Sequence, residues 1–167
     1  MVSEDHPGAI VVHGCVLDGA NLPVTDAMLE FWQADGEGRV STPPSSPSGW
    51  TGFSRTLSDM EGGYRLVTVK PGRLRGTGAL EAPHIDVSIF ARGLLQRLVT
   101  RIYFSDEEAN TTDPVLVGLG RSELRRRLVA QRSTQDAHPS HLAHGAPAYR
   151  LDIHLQGEQE TVFFAPW

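Results

Sequence analysis

From Ile10 to Phe164 the chain is built of short runs of alternating or β-branched apolar residues, and glycine, proline, asparagine or aspartate separates them. The runs are Ile10–Leu17, Met28–Ala34, Gly52–Leu57, Tyr64–Thr68, His84–Phe90, Leu98–Phe104, Tyr149–Leu155 and Thr161–Phe164. A period of two is the signature of half-buried strands, and many short strands in series read as a sandwich or barrel. The spacers "DGANLPVTD", "ADGEGR", "SDMEGG" and "VKPG" supply residues that tolerate unusual φ or fix it, as tight turns require. The pattern therefore predicts an all-β chain, an antiparallel β-sandwich or barrel with one short helix and long loops.

The helix is expected around Glu123–Gln131, where Leu124, Leu128 and Val129 recur at helical spacing beside a run of arginines. Its arginine face would be solvated, or would meet an acidic partner chain. "STPPSSPSGW", Ser41 to Trp50, cannot be a central strand, because proline has no ladder donor. It is expected to be a surface loop. "RSTQDAHPSHLAHGAPA" reads as a second long polar loop. With no internal repeat and no boundary signal, residues 1–167 form one expected domain.

Composition narrows the function classes. The chain has 167 residues, enough to bury about two thirds of its unfolded surface without staples. Lys and Arg number 15 against 20 Asp and Glu, a formal charge of -5, which argues against nucleic acid as a partner. The single cysteine, Cys15, lies in the apolar run "AIVVHGCVL". It permits no intrachain disulfide and reads as a small buried hydrophobe in a protein of the reducing cytoplasm. The opening "MVSEDHPGAI" lacks the basic and apolar regions of a signal peptide, and no run of eighteen apolar residues would span a membrane.

Candidate chemistry is sparse. His138, His141 and His144 have a metal-ligand spacing, yet Pro139, Gly145 and Pro147 surround them and no cysteine or acidic cluster completes a zinc shell, so exposed loop histidines are expected. His13 and His154 fall in strands and read as structural, hydrogen-bonded residues. There is no nucleophile elbow, phosphate loop or dinucleotide fingerprint. What remains is "HID", His84 to Asp86. Residues two apart on a strand face the same way, so this pair is either half of a non-haem iron site or a buried His–Asp pair. A facial triad needs a second histidine, and periodicity nominates none.

The ordered stretches "VVHGCVLDGANLPVTDAMLEFWQADGEGR", "YRLVTVKPG", "APHIDVSIFARGLLQRLVTRIYFSDEEAN" and "YRLDIHLQGEQETVFF" resemble the intradiol aromatic-ring dioxygenases from about Gly8 to Phe164. Within that family the chain looks like the α subunits of the heteromeric members. The resemblance implies a β-sandwich whose end loops carry the site. It also implies ferric iron, Fe(III), held in a partner β subunit by two tyrosines and two histidines, the histidines in an H-x-H strand.

Carried onto this chain, the first histidine corresponds to His84 and the second position to Asp86. One tyrosine position falls at or near Leu74 in "KPGRLRG", and the other falls in Val40–Gly49, which contains no tyrosine. The resemblance therefore implies no metal ligands and no catalytic residue in this chain. It implies instead that Arg92 of "FARG" binds the carboxylate of a catechol substrate in a pocket near the β subunit. A guanidinium suits that task because its fork of donors matches a carboxylate. Family α chains usually begin with an arm bearing a "TxGP"-like stretch, and this chain is expected to lack it. The rival readings are a self-sufficient dioxygenase for another catechol, using His84 and Asp86, and a non-enzymatic binding or scaffold module.

Overall fold

A computed structural model of the chain describes residues 2–3, 5–40, 51–75, 78–133 and 146–165. These contain nine strands: β1 Ala9–Leu17, β2 Met28–Trp32, β3 Phe53–Leu57, β4 Gly63–Val69, β5 His84–Phe90, β6 Leu98–Phe104, β7 Val129–Ser133, β8 Ala148–Arg150 and β9 Ile153–His154. Helical structure is confined to a 3₁₀ turn, Glu108–Thr111, and two five-residue helices, α1 Pro114–Gly118 and α2 Ser122–Arg126. Hydrogen-bonded neighbours run β3-β2-β5-β6-β7-β8-β1-β4, with β9 also on β1.

The sandwich closes through β7. Its first residues pair in parallel with β6, Tyr103 opposite Val129, and its last pair antiparallel with β8, Gln131 opposite Arg150. One strand thus passes from the sheet β3-β2-β5-β6 to the sheet β4-β1-β8. The expected all-β sandwich is present, but its pairing is mixed: β8 and β9 also run parallel to β1.

Alternation along the strands builds the core. Leu29 and Phe31 of β2, Ile85, Val87 and Ile89 of β5, and Ile102 and Phe104 of β6 face Ile10, Val12, Tyr64, Leu66 and Tyr149 across the sandwich. Phe31 and Tyr64 meet ring to ring at 6.1 Å, and Phe104 meets Tyr149 edge-on at 4.9 Å. The other face of β5 and β6 carries His84, Asp86, Arg101 and Tyr103, in register as His84 opposite Tyr103 and Asp86 opposite Arg101. That outer face is covered in part by a second cluster of Ala82, Tyr103, Leu116 and Leu128.

Four local expectations need correction. The helix ends at Arg126, short of the expected Gln131: Arg127 and Leu128 form a turn in which the Leu128 N–H donates to the Arg125 carbonyl, and the chain becomes a strand at Val129, with Leu128 and Ala130 fully buried in separate clusters. The expected strand Tyr149–Leu155 breaks at Leu151–Asp152, where the Asp152 carboxylate accepts from the Cys15 N–H at 2.9 Å and takes the place of a ladder carbonyl. At this break a β-carbon on Gly14 would lie 1.8 Å from the Leu151 carbonyl oxygen, so only glycine fits. Thr161–Phe164 adds a single bridge, Phe164 to Val99, rather than a strand. Cys15 is half-buried instead of buried, and burial, with Asp152 adding to it, pushes its thiol up.

The turns use the chemistry expected of them. The carboxylates of Asp18, Asp35 and Asp59 each accept two backbone N–H groups of their own turn. Ser41 to Trp50 and His138, His141 and His144 lie outside the described residues. Among the described residues no helix is long and apolar enough to cross a membrane.

One end of the sandwich is clamped electrostatically. Lys70 Nζ lies 2.9 Å from Asp106 and 2.5 Å from Glu107, over the rings of Phe104 and Tyr149, and the Tyr149 hydroxyl donates to Asp106 at 2.9 Å. Burial works to raise the Asp106 carboxyl, but the hydrogen bonds from Lys70 and Tyr149 outweigh it and hold the group below the usual carboxylate range. A depressed folded-state value stabilises the fold above the unfolded value and is lost as pH falls through the folded one. Asp106→Asn is therefore expected to cost about 1–2 kcal/mol near neutrality. The gap to the parent should close in acid below the ordinary aspartate range, as urea midpoints at the two pH values will show.

Candidate functional site: the cavity at the His84 end of β5

A cavity of about 90 Å³ opens at the end of the outer face, lined by Trp32, Gln33, Ala34, Val40, Gly52, Phe53, Gly72, Leu74, His84 and Asp86. It forms because β2, β3 and β5 end together there and two tight turns fold over them. Trp32 pairs with Phe53 on one side and Asp86 on the other. The Asp35–Arg39 turn, with Gly38 at φ 78°, is tied to the 70–74 loop by the Gly72 N–H to Asp35 carbonyl bond. Gln33 bridges to Val69 O and accepts from Thr68, which fixes the cavity floor.

The structure gathers in this cavity His84, Asp86, Leu74 and Val40, the residue that opens the proline-serine stretch. As the period of two requires, His84 and Asp86 project into it side by side. His84 is buried, and its Nδ1 donates to the Ala82 carbonyl at 2.7 Å, which directs Nε2 toward Glu81 at 3.5 Å and Asp86 at 3.9 Å.

Both carboxylates are held by one arginine. Arg101, directly opposite Asp86 on β6, donates through Nε to Asp86 at 2.9 Å and through Nη1 to Glu81 at 2.8 Å. Burial opposes its charge, but Asp86, Tyr103 and Glu81 outweigh burial and set the guanidinium above the ordinary arginine value. Beyond it, the Tyr103 hydroxyl donates to Asp113, whose fully buried carboxylate also accepts from Ala82, Val115 and Leu116 and so caps α1. An unbroken polar chain runs from the cavity to α1.

This donor set does not fit ferric iron held by two tyrosinates and two imidazoles. The chain has three tyrosines, and each phenol donates elsewhere: Tyr64 to the Leu151 carbonyl, Tyr103 to Asp113 and Tyr149 to Asp106. Burial pushes the hydroxyls of Tyr64 and Tyr103 well up, away from the tyrosinate form. The carboxylates nearest His84 are neutralised by a guanidinium. No step of chemistry is assigned to iron in this chain.

Arg92 is not brought to the cavity. It lies past the other end of β5, eight residues from His84 and so about 25 Å along the strand. Its guanidinium is 88% exposed and ion-paired with Asp26. His13 and His154 also stand apart. His13 sits opposite Arg65 on β4 and Arg150 on β8, with burial and then Arg150 lowering its proton affinity, and its Nε2 has no hydrogen-bond partner. The expected hydrogen bond at that nitrogen is absent. His154 lines a second, polar groove with Arg126, Arg127 and Asp152.

Glu81, Arg101, Tyr103 and Asp113 were not singled out by sequence reasoning. The signal available for two of them was Arg101 and Tyr103 at alternate positions of "LVTRIYF", a polar face within an otherwise apolar strand.

Comparison with known proteins places this geometry. The family model described as Dioxygenase matches residues 1–157. The chain is 45% identical over 160 residues to the protocatechuate 3,4-dioxygenase alpha chain of Burkholderia cepacia, which covers 93% of this chain and 76% of that one. It is 34% identical over 161 residues to the beta chain from the same organism, covering 91% and 66%. Among solved structures, the dioxygenase domain of a dioxygenase carbohydrate-binding protein fusion from Streptomyces sp. SirexAA-E superposes with a TM-score of 0.68 at 26% identity, covering 93% of this chain and 85% of that one. In sequence along nearly its whole length, and in the sandwich that frames the cavity, the chain belongs to the intradiol dioxygenase family.

Proposed function

We propose that the chain serves as the α subunit of a heteromeric protocatechuate 3,4-dioxygenase, in the cytoplasm of a bacterium that degrades aromatic compounds. The observation that carries the reading is its 45% identity to an alpha chain of that enzyme, against 34% to a beta chain, joined to a cavity whose donors do not suit ferric iron. In this reading Fe(III) belongs to the β subunit, where it supplies the activation that lets dioxygen open 3,4-dihydroxybenzoate between its hydroxyls to 3-carboxy-cis,cis-muconate. The α chain contributes structure and substrate binding.

Arg92 is the residue proposed for binding. Its place supports the role: an exposed guanidinium beside the β5–β6 hairpin, whose Leu95 is wholly exposed, far from this chain's own cavity and able to reach across to another chain's. Asp26 holds it ready, and a substrate carboxylate would compete with Asp26 for the same fork of donors.

Two experiments test the proposal. Co-expression with a candidate β chain is expected to give a complex that cleaves 3,4-dihydroxybenzoate, while the chain purified alone carries no iron. Stoichiometric ferric iron with a tyrosinate colour band in the lone chain would overturn the subunit reading, and a β chain equally stable and active by itself would remove the role. In the assembled enzyme, Arg92→Ala is expected to raise KM for carboxylated catechols by about ten- to a hundredfold, as loss of a charged hydrogen-bond pair implies. Iron content should not change. An unaltered KM would rule out substrate binding by Arg92.

A further inference from the structure

The arginine run that follows Arg121 borders a concavity of its own. A groove of about 370 Å³ lies between α2 and the turn after β9, and Arg126, Arg127, Asp152, His154 and Thr161 stand on its wall. It shares no residue with the cavity at the His84 end of β5. Arg127 is half-buried, and its Nη1 and Nη2 donate to the carbonyls of Glu160 and Glu158 at 2.9 and 2.8 Å. Backbone dipoles hold that fork in place, and among the described residues no carboxylate is paired with it. Arg126, the last residue of α2, is exposed and makes no hydrogen bond or ion pair with a described residue. Asp152 does not neutralise either one. Its two oxygens accept from Arg150 at 3.3 and 3.0 Å, and one also accepts from the Cys15 N–H, so its charge is offset outside the groove. Glu123 is then the one remaining carboxylate of the lining, against two guanidiniums.

We infer that this groove is a binding site for a small oxyanion, a phosphate or a carboxylate, held between Arg126 and Arg127 with His154 and Thr161 on the same wall. A half-buried guanidinium that meets only carbonyls is a charge without a counter-ion, and an anion in the groove supplies one. Because Arg127 is already pinned, it loses little freedom on binding, and the planar fork of donors matches two oxygens of one phosphate or carboxylate group. Thr161 adds a buried hydroxyl, only 2% exposed as a residue. That oxygen accepts the His154 N–H at 3.0 Å, which leaves the hydroxyl's own hydrogen to donate. Donors from the end of α2, from β9 and from the segment after it thus converge on one hollow. Its concave form suits a small ion or metabolite rather than the flat face of another chain.

The test uses the full chain without partner or iron, so its outcome is separate from that of the subunit proposal. Inorganic phosphate and succinate are each titrated in at fixed pH and constant ionic strength, with chloride as the reference salt. The thermal midpoint and the ring C–H NMR signals of His154 and His84 are followed. At least one oxyanion is expected to raise the midpoint and move the His154 signal along a single saturating curve, half-complete in the millimolar range or below, while His84 stays in place. The ion that saturates first tells a phosphate site from a carboxylate site. Arg126→Ala, which removes no contact of the folded chain, should melt with the parent in chloride and bind the oxyanion about tenfold more weakly. Arg121→Ala, an equal loss of charge outside the groove, should bind as the parent does. Equal weakening in the two variants, or a response that chloride reproduces or that never saturates, is general attraction between charges and would overturn the inference.

Discussion

The Arg101 guanidinium and the carboxylates of Glu81 and Asp86 constrain one another more tightly than any other polar groups on the outer face. Each alone would be a part-buried charge, and truncating one partner leaves the survivor's charge without its offset. Together they tie three segments: the loop entering β5, β5 itself and β6. Tyr103 and Asp113 extend the tie to α1, where Asp113 caps a helix that Pro114 starts. The cavity keeps its shape because its back wall is this network. A loop held only by apolar contact would be free to slide into a space of about 90 Å³.

The alternation of a β-strand explains how such a site can change while the fold persists. Ile85, Val87 and Ile89 face the core, and His84 and Asp86 face the cavity, on one strand and in one register. Replacing an outward side chain removes no core contact. The sandwich matches a solved dioxygenase domain at 26% identity, while the donor set on this chain's outer face is one that a guanidinium satisfies. The surrounding residues suit a paired rather than a free donor set. Leu74, Val40, Trp32 and Phe53 give the cavity an apolar lining, in which an unpaired polar ligand would be costly.

Much of this was legible before any coordinates, and the division is physical. His84–Phe90 and Leu98–Phe104 were read to the residue, because a central strand with one face in the core displays its period undisturbed. The turns at Asp18, Asp35 and Asp59 were legible because their chemistry is local. The segment after Arg126 was misread because Leu124, Leu128 and Val129 satisfy helical spacing. Only the pairing of Val129 and Ala130 with Tyr103 and Phe104 of β6 reveals that the chain turns at Leu128 and then runs extended. The break at Asp152 escaped notice because a side chain there replaces a backbone acceptor, and hydropathy does not record such a substitution. In the site, His84 and Asp86 announced themselves by sequence proximity. Arg101 and Glu81 did not, since a partner fifteen residues away across a hairpin is found by register and not by spacing.

The two ends of β5 answer to different demands. At one end buried His84 and part-buried Asp86 belong to a network confined to this chain, in which Arg101 offsets the carboxylates. At the other, Arg92 is exposed and ion-paired with Asp26, a pair in water that contributes at most about 1 kcal/mol. Stability therefore gives little reason for a guanidinium at that position, and the substrate-binding role proposed for it would supply one, because a surface pair opens at little cost when a better acceptor arrives. The buried arginine is fixed by what it would cost to remove, and the exposed one is free to change partners. In the proposed subunit reading, it is the exposed arginine of the hairpin that is available to a neighbouring chain.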